Sequence, residues 1–206
     1  MKDFGLVVIG AHFGVWLENE INKFKGHNIL LVEPVPYNIE ILEKKYGEFD
    51  NIYICKNAIF SKKKTSSFYY VNGKSIHKLG KHWASGIGSF DKNHILNHKS
   101  KRFKIEDDDI VEMKMNFITF EDIIDIFSVK SINRLQIDVE GAEYEILNSI
   151  DFKNTIIDSI LFESKHFDGT FKEGDKLLEI KKKLSNEGYT LSKIDSENIL
   201  AKKNYL

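Results

Sequence analysis

Cysteine is almost missing from this chain of 206 residues: Cys55 stands alone. Its isolation excludes an internal disulfide and any zinc site built from thiolates. Cys55 follows the apolar run Ile52-Tyr53-Ile54 and reads as a small core residue rather than a nucleophile. An excess of one charge is missing too. Thirty Lys and Arg face 31 Asp and Glu, a formal net charge of −1, which gives no general pull toward nucleic acid or an anionic membrane. The short runs Lys62-Lys63-Lys64 and Lys181-Lys182-Lys183 read as a solvated turn and a solvated helix face. Long apolar runs are absent as well. The stretch ending at Gly10 is too short for a signal-peptide core, and no later run is long enough to cross a bilayer. The expectation is a cytoplasmic protein with neither a nucleic-acid nor a membrane partner. Proline occurs only twice, at Pro34 and Pro36.

What remains is an ordinary globular composition, 42% apolar and 30% charged, with the length of a single domain over 1–206. Short β-branched runs alternate with segments of helical period, the pattern of parallel strands joined by crossover helices. Strands are expected at Leu6–Ile9, Ile29–Val32, Ile52–Ile59, Leu135–Val139 and Ile156–Phe162, with a closing hairpin over Tyr189–Ile194 and Asn198–Lys202. Helices are expected over Gly14–Lys25, from Pro36 to near Gly47, after a Thr119 cap, over Ala142–Ile150 and over Lys172–Asn186. In the first of these, Trp16, Leu17, Ile21 and Phe24 share one face. The fold class is α/β: a Rossmann-like, mostly parallel seven-stranded sheet with helices on both faces and a C-terminal antiparallel hairpin. Ser67–Val71 and Val111–Phe117 read as further strands. A long irregular insertion lies between them, about 73–110, and a loop of that length is usually functional.

Two constellations carry chemistry. Gly10-Ala11-His12-Phe13-Gly14 sits between a strand and a helix, where glycines let a ligand approach the backbone and the helix N–H groups. Glu33 ends the next strand, about 20 residues on, where an acid accepts ribose hydroxyls in nucleoside-binding α/β folds. A dinucleotide loop needs a middle glycine for pyrophosphate; His12 stands there, so a smaller, non-phosphorylated nucleoside fits better. The second constellation is Asp138-Val139-Glu140-Gly141-Ala142-Glu143, which follows an apolar strand. Asp138 and Glu140, two apart on a strand, are expected on one side at the rim of the ligand crevice. Three carboxylates there suit a sulfonium ion, a proton acceptor or a hard cation such as Mg²⁺. The helix macrodipole alone accounts for Glu143 well and for Asp138 poorly.

These strings occur in order with Val32-Glu33-Pro34, Asn57-Ala58 and Ile118-Thr119-Phe120-Glu121-Asp122, and together they resemble the FkbM family of S-adenosylmethionine-dependent methyltransferases. The resemblance runs from residue 5 to about residue 190 and implies a class I methyltransferase domain. It implies that Gly10, Ala11, His12, Phe13 and Gly14 wrap the methionine end of S-adenosyl-L-methionine. Glu33, with Pro34 beside it, would hold the ribose, and Asn57 and Ala58 would lie near the adenine. Asp138 would face the methionine amino group or the reacting centre. Similar members methylate hydroxyl oxygens, so the implied partner is a small-molecule or carbohydrate acceptor. Two departures stand out. Val8 replaces an acid common in the family two residues before the first glycine, which removes one anchor for the cofactor's amino group. The chain also starts almost at its first strand, so the loop His82–Ser89 is expected to provide cover for the site.

For the base that takes the acceptor's proton, the candidates are Glu140 and Asp138. Glu140 is preferred as lying further toward the open crevice, and His12 competes. No metal site is assigned: His94 and His98 have the spacing of two ligands on one helix face, yet no Glu follows the first as in a zinc-peptidase motif. Trp83, Phe90, His166 and Phe167 are candidates for an acceptor pocket. Two rival readings are a non-catalytic nucleoside-binding module and an NAD(P)-dependent oxidoreductase. The missing middle glycine argues against the second.

Overall fold

The computed structural model describes residues 1–14, 16–79, 82–97, 105–169 and 172–205, without the side chains of 82 and 83. The first half runs β1 (Lys2–Ile9), α1 (Glu18–Lys23), β2 (Asn28–Val32), α2 (Pro36–Tyr46), β3 (Ile52–Cys55), β4 (Ala58–Ile59) and β5 (Lys64–Val71). Then come α3 (Gly73–Leu79), α4 (Lys92–Leu96), β6 (Ile110–Ile118), α5 (Phe120–Ile126) and β7 (Val129–Ile137). The chain closes with α6 (Glu143–Ser149), β8 (Ile156–Glu163), α7 (Asp175–Asn186), β9 (Tyr189–Lys193) and β10 (Asn198–Lys203).

Seven strands form one sheet in the order β3-β2-β1-β7-β8-β10-β9. The first five are parallel, and β10 pairs antiparallel with both β8 and β9, as the sequence pattern predicts. Side chains alternate from Leu6 to Ile9 because successive strand residues point to opposite faces, and a register irregularity between Phe4 and Leu6 puts Phe4 on the Val7 side. Phe4, Val7 and Ile9 join one core with Ile123 of α5, Ile146 and Leu147 of α6 and Ile180 of α7. Leu6 and Val8 join the other with Ile21 of α1 and Leu42 of α2. Both faces are therefore covered, which is why β1 and β2 read as unbroken apolar runs.

Four expectations need correction. The helix expected over Gly14–Lys25 is only Glu18–Lys23. Gly14 has φ +75°, a left-handed conformation that a right-handed helix cannot contain, and Trp16 is 73% exposed instead of facing the core. The strand expected over Ile52–Ile59 is two strands in two sheets: β3 pairs with β2, whereas β4 pairs with β6. The insertion is not irregular throughout, since α3 and α4 lie within it and Gly73 opens a helix. Finally, β7 ends at Ile137, so Asp138, Val139 and Glu140 lie in the turn after the strand.

The second sheet, β4-β6-β5, places β5 and β6 antiparallel. Its apolar side, Ala58, Phe68 and Phe117, packs with Val35 just after β2. A bridge between Tyr69 and Ser89 ties the insertion to β5.

One lysine of the second run is half-buried and bonded within the fold. Lys183 Nζ on α7 donates to the carbonyls of Leu147, Asn148 and Ile150, at 3.1, 2.6 and 3.0 Å, and closes the end of α6. A cation bonded to final helix carbonyls satisfies orphan acceptors and complements the helix dipole. Lys183→Met is expected to lower stability by about 1–2 kcal/mol, read as a lower urea midpoint at unchanged slope. Lys182→Met is the comparison and should move the midpoint little.

Candidate active site

β1 pairs with β2 on one side and with β7 on the other, so the strand order reverses at β1. Ligands of open α/β sheets bind at the carboxyl ends of strands where this reversal occurs. Gly10, Glu33 and Asp138 end those three strands. There, a cleft of about 580 Å³, counted to its open mouth, is lined by all three together with His12, Pro34, Asn57 and Ala58. Phe68 and Phe117 of the second sheet and Gly86, Gly88 and Phe90 of the insertion form its remaining wall. The insertion thus borders the cleft through residues 86–90; the side chains of His82 and Trp83 lie outside the described residues, as does His98.

The glycine loop does not act as a single wrap. Gly10 and His12 face the cleft, whereas Ala11 is buried in the core behind β1. Gly14 packs inward as well: a Cβ there would meet Leu42 and Tyr46 at 3.1 and 3.0 Å. Phe13 stacks at a tilt on His12, with ring centroids 4.0 Å apart, and is not part of the lining.

His12 takes φ +52°, uncommon for a residue with a side chain. The conformation aims its backbone N–H at Glu33 Oε2, 2.9 Å away, and its ring reaches Ser85 Oγ in the insertion. Glu33 is buried. Its Oε1 accepts from the Val35 N–H at 2.9 Å and from Asn38 Nδ2 at 3.1 Å. The same Asn38 amide donates to the Ser85 carbonyl at 2.8 Å, joining α2 to the insertion. Burial is the main influence on Glu33 and pushes its carboxyl up to about 7, against the opposing pull of Asn38, Val35 and His12. The sequence does not mark Asn38, and it marks Ser85 only as part of the covering loop His82–Ser89. An Asn in the first turn after Pro36 resembles any polar helix start.

On the other side of β1, the acids after β7 separate into distinct roles. Asp138 is exposed to the cleft, and its backbone N–H is tied to the Ile9 carbonyl at 2.9 Å. Burial among neighbouring atoms, then the charge of Glu140, raise its carboxyl to about 6. Glu143 is 1% exposed and turns back on its own loop. Its carboxylate accepts from the Val139 N–H at 2.8 Å and the Gly141 N–H at 3.0 Å, fixing the turn that carries Asp138. Burial raises Glu143 to about 7.

Glu140 departs from expectation. It adopts φ +54°, which turns its side chain out of the alternation that a continuing strand would impose. Its carboxylate is absent from the cleft lining and sits between His94 and His166, with Oε2 3.4 Å from each Nε2. Burial raises its carboxyl, but His166, His94 and Lys165 outweigh that and hold it well below the usual carboxylate range. Glu163 at the end of β8 and Lys165 complete this corner, with Nζ 2.5 Å from Glu163 Oε1. Among the four pocket candidates, Phe90 lines the cleft and His166 meets Glu140. Phe167 is a core residue stacked on Phe162 at 5.9 Å, and the Trp83 side chain is not described.

An open, mainly parallel α/β sheet with an acid-flanked cleft at its switch point defines a Rossmann-like domain. Comparison with known proteins narrows the class. The sequence profile of the methyltransferase FkbM domain matches residues 9–191, and the chain belongs to that methyltransferase family. No curated protein matches it significantly. Among solved structures it is similar to a precorrin-6y C5,15-methyltransferase from Geobacter metallireducens GS-15, at 12% identity and a TM-score of 0.49, covering 99% of this chain and 82% of that one. It is also similar to Aeropyrum pernix fibrillarin in complex with S-adenosyl-L-methionine, at 11% identity and a TM-score of 0.46, covering 98% and 66%. A third is the N-methyltransferase NodS from Bradyrhizobium japonicum WM9, at 10% identity and a TM-score of 0.41, covering 98% and 87%.

Proposed function

We propose that the cleft binds S-adenosyl-L-methionine and that the protein transfers its methyl group to a hydroxyl oxygen of a small molecule or sugar. The observation that carries this reading is the charge of the lining. It contains the carboxylates Glu33 and Asp138 and neither Lys nor Arg among the described residues. A pyrophosphate would meet two acids and no cation, whereas a sulfonium bearing an ammonium group is attracted.

The residues present fit the cofactor. Gly10 lines the cleft without a side chain, and a Cβ there would collide with the Asp138 carbonyl. Glu33 is fixed by three donors, two on Oε1 and one on Oε2, which leaves one lone pair, on Oε2, to accept from a ribose hydroxyl. Asn57 and Ala58 border the same cleft and would lie near the adenine. When bound, the cofactor supplies an electrophilic methyl group on sulfur.

Asp138 then holds the role of base. Its carboxylate, which lines the cleft, would take the proton of an acceptor hydroxyl as that oxygen is methylated. Placement supports Asp138 over Glu140, because only Asp138 faces the cleft. The apolar wall of Phe68, Phe90 and Phe117 limits water at the reacting centre.

The test is calorimetric titration of the chain with S-adenosylhomocysteine, NAD and NADP, followed by a methyl-transfer screen of hydroxylated acceptors. Binding of the homocysteine compound alone is expected. Asp138→Asn should retain it and lower turnover by about 10²-fold or more. Binding of a nicotinamide nucleotide would overturn the reading, and Asp138→Asn at full rate would remove that residue as the base.

A further inference from the structure

A second cluster lies behind the turn that carries Asp138. Glu140 Oε2 is 3.4 Å from His94 Nε2 on α4 and 3.4 Å from His166 Nε2 after β8. These three atoms all lie within 4.8 Å of one another. Glu163 Oε2 is 3.9 Å from the same His166 nitrogen. Glu163 is 5% exposed, and Glu140 and His166 are half-buried. Glu140 Oε2, Glu163 Oε2 and His166 Nε2 are themselves shielded from solvent, and none makes a hydrogen bond among the described residues. A buried polar atom left without a partner costs about 1–3 kcal/mol, so folded proteins rarely keep three in one place.

The distances choose between a hydrogen-bonded pair and a shared ion. A charge-assisted N–H···O bond settles at about 2.7–2.9 Å, well short of the observed separations. Ligand atoms about 2.0–2.1 Å from a tetrahedral ion stand roughly 3.3–3.4 Å apart along each edge. Two Nε2–Oε2 separations of 3.4 Å are edges of that size. The two imidazole rings do not stack: their planes are 82° apart with centroids at 5.2 Å, so both nitrogens can address one point beside the carboxylate.

We propose that His94, Glu140 and His166 form a binding site for a divalent first-row transition cation, with Zn²⁺ as the best match. Two imidazoles exclude a preference for Mg²⁺ or Ca²⁺, which favour all-oxygen shells, and the absence of thiolate excludes the softest ions. Three protein ligands leave a fourth position, and Glu163 Oε2 is placed to occupy it or to accept from a bound water. Among the described residues Lys165 is the nearby cation, and it is engaged by Glu163 Oε1 at 2.5 Å. Asp138 connects the two sites, since it lines the cleft two residues before Glu140 and its carboxylate lies within 4.8 Å of Glu163. An ion there would polarise an acceptor oxygen that reached it; that clause rests on the methyltransferase reading, whereas metal binding itself does not.

The experiment titrates the full chain, stripped with chelator, with ZnCl₂, CoCl₂ and MgCl₂. One equivalent of Zn²⁺ should bind at micromolar concentration or tighter, Mg²⁺ should not compete, and Co²⁺ should show the visible bands of a four-coordinate ion. Glu140→Gln and His166→Ala should each weaken Zn²⁺ binding by roughly 100-fold or more, with circular dichroism reporting that each variant folds. Absence of Zn²⁺ and Co²⁺ binding to the parent protein would overturn the proposal. Undiminished binding in a folded variant would overturn it equally, by placing the ion on other histidines. If one variant fails to fold, the other and the parent's Co²⁺ spectrum decide. Zn²⁺ uptake without any binding of S-adenosylhomocysteine would sink the cofactor reading and leave the metal site standing.

Discussion

Gly10→Ala is expected to abolish binding of S-adenosylhomocysteine and to lower the melting temperature by about 10 °C or more. A Cβ on Gly10 would lie 1.7 Å from the Asp138 carbonyl oxygen and 2.7 Å from its carbon. Both are backbone atoms, so no side-chain rotation relieves the overlap. The ends of β1 and β7 must separate instead, at the point where the Asp138 N–H bonds to the Ile9 carbonyl. Gly10 also has φ +89°, which adds about 1–2 kcal/mol of strain for any residue with a side chain. Gly26→Ala isolates that smaller effect: Gly26 has φ +92° and nothing within 4 Å of a built Cβ. It should cost only a few degrees and leave binding intact. If the two variants melt alike and both bind, the close approach of β1 to β7 is not what holds the cleft open.

Glu33 governs the second large effect. Its folded-state carboxyl lies near 7 through burial, against an ordinary value of 4.5. A raised carboxyl means that the folded protein holds a proton the unfolded chain has lost. Its contribution to stability is therefore full below pH 4.5 and disappears as pH rises toward 7. The difference amounts to about 3 kcal/mol by neutral pH, and Glu33→Gln should flatten that part of the stability profile. Cofactor binding runs the other way. Ribose hydroxyls donate, so binding selects the ionised carboxylate, and affinity should rise about tenfold per pH unit up to near 7 and then level. Titrations of the parent and Glu33→Gln with S-adenosylhomocysteine at several pH values test both signs. A parent affinity that falls with pH, or a variant with an unchanged profile, would refute the assignment of Glu33 to the ribose. Other acids of the site titrate as well, and the variant separates their share from that of Glu33.

The fold was legible because its signals are local. Leu6-Val7-Val8-Ile9 and Ile29-Leu30-Leu31-Val32 are apolar at every position, as expected of strands covered on both faces, and both lie inside the edges of the sheet. The break at Asn57 was not legible. Ile52 to Ile59 is one apolar run, and only the availability of β6 as a partner draws Ala58 and Ile59 into a second sheet. The length of α1 was misread for a related reason. Helical spacing extends back to Gly14, but the turn there is set by where β1 and α2 lie.

The candidate site divides the same way. The sequence by itself determined that glycine must follow β1, that an acid must end β2, and that a carboxylate must end β7 where apolar residues would otherwise continue. Each is a requirement of one strand end and its own turn. Only the tertiary structure decided what each acid faces. A left-handed Glu140 leaves Asp138, of these two acids, at the cleft and carries its own carboxylate to His94 and His166, residues on separate elements far apart in the chain. Side-chain period predicts direction only while a strand continues. Once the backbone crosses to positive φ, direction is set by the packing of α4, β7 and β8 around the turn, and no spacing in the sequence records it.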